Sequence, residues 1–188
     1  MANENVKAAV EQILVELGED PGREGLKKTP ERVARSLEFF TRGYAEEPAA
    51  VVGDALFVEE YSEMILVRDI DFFSLCEHHM LPFFGRAHVA YVPDHHIVGI
   101  SKICRMVECY ARRLQVQERM TMQIVQELQQ VLGTEDVACV VDAKHLCVNS
   151  RGIRDIESST VTSEFGGAFK QKEVRREFLD YIKLDTTF

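Results

Sequence analysis

The apolar positions divide the chain into segments of different period. Val6, Ala9, Val10, Ile13, Leu14 and Leu17 recur at helical spacing and stop at Gly18, which predicts a first helix closed by a glycine. After a polar stretch, Thr29-Pro30-Glu31 carries the signals of a helix start: Thr as N-cap, Pro in the first turn, and an acid at the positive end of the dipole. Val33, Leu37 and Phe40 mark one face of that helix as far as Gly43. Residues 45–60 show no period and read as a connecting loop. From Met64 the period shortens: Ile65, Val67 and Ile70 with Phe72 and Phe73 predict a strand, and residues 87–92 a second. Ile103, Met106, Val107, Tyr110 and Ala111 return to helical spacing behind Ser101 as cap, and Met120, Ile124, Leu128 and Val131 give another helix stopped by Gly133. Residues 137–148 and 160–169 read as strands, and 173–182 as a closing helix.

This order predicts an α+β fold: a ββααββ antiparallel sheet with helices on one face, preceded by an N-terminal helical pair. The expected division is an N-terminal helical region and linker over 1–60 and a sheet-bearing domain over 61–188. Four strands leave open edges that need covering, so assembly through sheet edges is expected.

Composition narrows the class. With 188 residues, 46% of them hydrophobic, the chain buries a core without disulfide staples. The five cysteines, at 76, 104, 109, 139 and 147, are odd in number and irregular in spacing, and Glu4 and Glu11 interrupt what would be a leader. A reducing cytoplasm is the expected compartment. No apolar run approaches the roughly 20 residues of a membrane span, so no membrane role is expected. A net charge of -9 disfavours general nucleic-acid binding, which draws its affinity from Lys and Arg on phosphates. The acidity sits mainly in residues 1–63, net -7, whereas residues 101–119 carry +3. A local basic segment in an acidic chain fits a small anionic ligand, or simply a solvated helix face.

Candidate chemistry concentrates in three places. In Cys76-Glu77-His78-His79, a thiol and an imidazole three residues apart can close a chelate on a turn, with His78 left for proton transfer; the same residues also read as a core Cys beside surface histidines. In His145-Leu146-Cys147, alternation along an extended strand puts His145 and Cys147 on one face. Cys147 alone reads as a buried strand thiol; as a third ligand with Cys76 and His79 it leaves a coordination position open, the catalytic type of zinc site. His145 suits acid–base work near neutral pH. The start of the basic helix, Gly99-Ile100-Ser101-Lys102 with Arg105, reads as a phosphate site, to which Arg151 adds a contact if the chain returns nearby. Glu118 reads either as a carboxylate favoured by a helix N-terminus or as an acceptor for the N–H and amine of a guanine.

Together, Cys76-Glu77-His78-His79, the run Val98-Gly99-Ile100-Ser101-Lys102 with Arg105, Gln115-Val116-Gln117-Glu118-Arg119, and His145-Leu146-Cys147 with Arg151-Gly152-Ile153-Arg154-Asp155 resemble the signature segments of GTP cyclohydrolase I. The similarity extends from about Gly25 to about Phe178. It implies the tunnelling fold, a decamer of two pentamers with active sites between subunits, and conversion of GTP and water to 7,8-dihydroneopterin triphosphate and formate, the first step of tetrahydrofolate and pterin biosynthesis. It implies Zn2+ on Cys76, His79 and Cys147, with His78, His145 and Ser101 as catalytic groups. Ser101, Lys102, Arg105 and Arg151 become triphosphate contacts, and Glu118 with Gln117 and the Ile100 and Val116 backbone the guanine pocket. Cys104 and Cys109 match no ligand position.

Other classes fit less well. A nitrile reductase of the same fold uses a Cys nucleophile without zinc, which leaves His78, His79 and Cys147 unexplained. A structural zinc module closes all four positions with protein ligands, and the pattern offers no fourth. A zinc nucleobase deaminase needs His-x-Glu with Pro-Cys-x-x-Cys, and neither occurs.

Overall fold

Asn3 accepts from the backbone N–H groups of Asn5 and Val6 and so opens helix α1 (Glu4–Glu16), the first element of a computed structural model that describes residues 3–184. Gly18, at φ +82°, follows its C-terminal end. Helix α2 (Thr29–Thr41) has Lys28 rather than Thr29 as its N-cap, with no side-chain cap bond. The Thr29 N–H already donates to Leu26 O at 2.8 Å, so the preceding turn runs into the helix and places Thr29 beside Pro30 in its first turn.

The compact units of the chain divide between Arg42 and Gly43, earlier than the expected 60/61. Residues 43–60 belong to the sheet-bearing unit because they pair and pack within it. Among them lie α3 (Pro48–Val52) and β1 (Leu56–Val58), elements too short to show a period. Strand β1 pairs with β4 (His96–Val98), and Val52 is fully buried in the main core. The Gly43 N–H donates to Arg112 O at 2.9 Å, and a Cβ there would stand 2.1 Å from Cys109 O, so only glycine permits this approach.

The main sheet contains β2 (Ile65–Cys76), β3 (Pro82–Tyr91), β5 (Leu114–Gln115), β6 (Val137–His145) and β7 (Thr160–Phe165) in the order β5-β2-β3-β6-β7. All its pairings are antiparallel except the two-residue contact of β5 with Leu75 and Cys76, so the sheet is mixed. One face carries Phe72, Phe83, Ala87, Val89, Val137, Cys139 and Val141 against α4 (Ile100–Ala111) and α5 (Gln117–Leu132), whose Ile103, Met106, Met120, Ile124 and Leu128 are fully buried. Gly133 ends α5 in the left-handed conformation.

Helices cover both faces, not one. Ala90, Ala138 and Val140 look the other way and pack under Phe169 and Phe178, the latter from α7 (Lys172–Ile182). The unbroken apolar runs 89–92 and 137–141 are what strands covered on both sides carry. Strand β3 begins at Pro82, earlier than residue 87, and β7 stops at Phe165, where a 3-10 turn (Gly167–Lys170) takes over. Strand β6 stops at His145, and α6 (Leu146–Asn149) succeeds it directly.

Candidate active site

The β2–β3 connection folds Cys76-Glu77-His78-His79 back on itself. The Cys76 N–H donates to Leu81 O at 2.9 Å and the Met80 N–H to Cys76 O at 2.8 Å, with Met80 held at φ +54°. Cys76 Sγ consequently lies 3.8 Å from His78 Nδ1 and 3.9 Å from His79 Nδ1. Glu77 reaches sideways to Arg119 in two hydrogen bonds of 2.6 and 3.0 Å, tying this turn to the first turns of α5. The guanidinium holds the Glu77 carboxyl below the usual range.

Cys147 arrives by a route the strand pattern did not foresee. The extended chain ends at His145, so Cys147 sits on the α6 turn, yet His145 and Cys147 line the same cleft of about 220 Å3. Among the described residues, Cys76, His79 and Cys147 form the one group of three metal-binding side chains whose ligand atoms all lie within 4.8 Å of one another. The donors fit a borderline-soft divalent cation. Zinc bonds of about 2.1 Å to nitrogen and 2.3 Å to sulfur put tetrahedral ligands about 3.6 Å apart, close to the 3.9 Å seen between Cys76 and His79. Burial and the neighbouring Cys76 sulfur push the Cys147 thiol up, and Arg151 acts against them.

His145 is fixed from two sides. Its ring stacks on Phe83 at 4.7 Å with 5° between the planes, and its Nε2 lies 2.7 Å from Gln117 Oε1. Burial pushes its pKa below the ordinary histidine value, and Glu118 opposes that shift. Val116, Gln117 and Glu118 line the cleft at the start of α5, with Glu118 exposed and Gln117 almost wholly buried. His78 also lines it.

The remaining expected residues stand elsewhere in the chain. Ile100 and Ser101 are exposed in the first turn of α4, whose N-cap is Gly99 without a side-chain cap, so Ser101 does not cap the helix. Lys102 Nζ donates to Val51 O at 3.0 Å. Arg105 lines a separate cleft of about 200 Å3 with Phe73, Cys104 and Glu108. Arg151 is exposed and close enough to act on Cys147. Sequence reasoning missed the Phe83 stack, the Glu77–Arg119 clamp and the Gln117–His145 bond, each of which joins residues far apart in the chain.

The profile of the GTP cyclohydrolase I family matches residues 6–183. The GTP cyclohydrolase 1 of Flavobacterium johnsoniae is 58% identical over 98% of this chain and 83% of its own length. That of Chlorobium chlorochromatii is 55% identical over 97% and 82%. That of Parabacteroides distasonis is 54% identical over 97% and 93%.

Proposed function

We propose, because the chain belongs to the GTP cyclohydrolase I family, that its cleft converts GTP and water to 7,8-dihydroneopterin triphosphate and formate. The observation that carries this reading is the convergence of Cys76, His79 and Cys147 beside His145 and Glu118 in one cleft. Zinc held by the two thiolates and the imidazole supplies a Lewis acid that brings water toward ionisation near neutral pH. The chain's own groups do the rest. Glu118 accepts from the N–H and amine of the guanine, with the Val116 and Ile100 backbone completing the pocket. His145 gives a proton to N7, which makes C8 electrophilic. His78 and Ser101 serve the later ring opening and ribose rearrangement.

Ser101, Lys102, Arg105 and Arg151 hold the triphosphate in this reading. The first three lie outside the cleft of their own chain, which supports a site completed by α4 of a second copy. The sheet offers places for copies to join. Among the described residues β2 pairs on its outer side through Leu75 and Cys76 alone, and β7 is the far edge. A ring of such tunnelling-fold sheets, two pentamers face to face, covers both edges. The protein works in the cytoplasm in this reading, on a small molecule and without nucleic acid; among the described residues no helix is long and apolar enough to cross a membrane.

The test is to incubate metal-loaded protein with GTP and follow formate and a pterin chromophore. Neither product from protein with its metal in place would sink the assignment. Cys147→Ser is expected to lose metal and turnover together, whereas His145→Ala keeps the metal and loses turnover.

A further inference from the structure

We infer that the Gln117 side chain is a positioning residue that fixes the proton of His145 on Nε2, leaving Nδ1 as the atom that exchanges a proton with substrate. The second half of this rests on the cyclohydrolase reading; the first rests on hydrogen-bond geometry alone.

The partners of the Gln117 side chain tell the two ends of its amide apart. One end of the Gln117 side chain lies 3.1 Å from Val141 O and 2.8 Å from Thr160 O. Carbonyl oxygens only accept, so that end is the NH2 group. It also faces Thr162 Oγ1 at 3.1 Å. Thr121 Oγ1 donates to Gln117 O at 2.8 Å, so the 2.6 Å contact between the two threonines has Thr162 as its donor, which leaves Thr162 accepting from the amide. The two amide hydrogens are shared among these three acceptors, and each hydroxyl hydrogen has one place. The chain of bonds runs from the Gln117 side chain through two hydroxyls back to the carbonyl of Gln117 itself.

Flipping the amide would set its oxygen against two carbonyl oxygens at a position 1% exposed, where unpaired polar groups are costly. Oε1 is thereby held toward His145 Nε2 at 2.7 Å, and an amide oxygen accepts, so Nε2 carries the hydrogen. The Phe83 stack keeps the ring in this plane. When His145 serves as acid, the Nδ1–H bond breaks as the N7–H bond forms, and the ring returns to its neutral Nε2–H form without moving. The same geometry removes the Gln117 amide from guanine recognition, since its NH2 group is already committed.

The tautomer is read by long-range 1H–15N correlation on 15N-labelled, metal-loaded full-length protein, at a pH where the ring is neutral and without GTP. The expected signature is a pyrrole-type Nε2 and a pyridine-type Nδ1 for His145; an Nδ1–H form or an even mixture overturns the inference. Gln117→Met keeps the length and removes the acceptor. It is expected to mix the tautomers and lower kcat by about tenfold or more with KM for GTP little changed, as loss of a positioned acid should. A raised KM with kcat intact overturns the inference and returns Gln117 to guanine binding. Thr162→Val removes one of the amide's three partners and leaves Val141 O and Thr160 O to orient it, so it is expected to keep the Nε2–H form; an Nδ1–H form in this variant overturns the inference, which keeps the question answerable if Gln117→Met fails to fold. Protein with the expected tautomer but no turnover of GTP contradicts the functional reading and leaves the tautomer assignment standing.

Discussion

Removing the metal should change which cysteines react, and the five thiols differ enough in setting to make this a sharp test of the ligand set. Cys139 is fully buried on the sheet face that α4 and α5 cover, and burial pushes its pKa up to about 12. Against an ordinary thiol near 9, that lowers its thiolate population at pH 8 by about a thousandfold, before any barrier to reagent entry. Cys109 is also fully buried and shifted upward by burial, though Arg113 Nη2 at 3.6 Å from its sulfur opposes the shift. Cys104 and Cys147 are half-buried, and Cys76 is 6% exposed.

Alkylation at pH 8 with peptide mapping by mass spectrometry should therefore find Cys104 modified whether metal is present or not. After chelation Cys147 should join it, with Cys76 reacting more slowly, while Cys109 and Cys139 wait for denaturant. Restoring zinc should protect Cys76 and Cys147 together, because each needs the same ion. Equal labelling of Cys147 with and without metal would refute the ligand assignment. Fast labelling of Cys139 in the native protein would refute the burial of β6 beneath α4 and α5.

Three further outcomes test the frame around the site. Gly85→Ala puts a Cβ 1.9 Å from Asp142 O and 2.6 Å from Ala143 Cα, backbone that cannot give way without parting β3 from β6, so a loss of about 3 kcal/mol in urea unfolding is expected and an unchanged midpoint would contradict it. Phe178→Ala empties the fully buried contact of α7 with Phe169 and should cost about 3–5 kcal/mol, measured the same way; a loss under about 1 kcal/mol would mean α7 is not packed as described. His88 accepts from the Asp69 N–H at the β2 bulge, and burial lowers its pKa below 6.5 against the pull of Asp69 and Asp142. The unfolded chain thus takes up this proton at higher pH than the folded one, so stability is full above about pH 6.5 and falls as pH drops below it. His145 contributes with the same sign, so the difference between wild type and His88→Gln in thermal midpoint at pH 7.5 and 5.5 isolates His88, and parallel curves would contradict the assignment.

Element length decided which parts of the fold could be read from the sequence. Helices α1, α2, α4, α5 and α7 span 11–16 residues and reveal themselves by period, with Gly18 and Gly133 marking two of their ends. Elements of two to five residues, such as β1, β5 and α3, owe their existence to partners elsewhere and leave no period to find. Placing α7 on the second face required reading the continuous apolar runs of β3 and β6 as covered on both sides. The metal group was legible because two of its members share one turn. Its third, Cys147, was placed by an alternation that stops two residues short of it.

Gln117 shows most clearly what a motif leaves to the fold. Gln117 and Glu118 are adjacent, and a shared motif invites a shared role, yet successive helical residues point about 100° apart. Met120, Thr121, Ile124 and Leu128 come after Gln117 at spacings of three, four, seven and eleven, so Gln117 belongs to the buried stripe of α5, and Glu118 to its exposed side. A glutamine on a core stripe must find partners for its whole amide or destabilise the fold. That requirement, visible in the sequence, already separates it from the exposed Glu118 next to it. What the sequence cannot supply is the identity of the partners, since Val141, Thr160, Thr162 and His145 come from β6 and β7 and meet Gln117 only once the sheet has formed. The site is thus built on the core rather than placed over it: the residue that meets the His145 imidazole is held by the pairing of the strands beneath it.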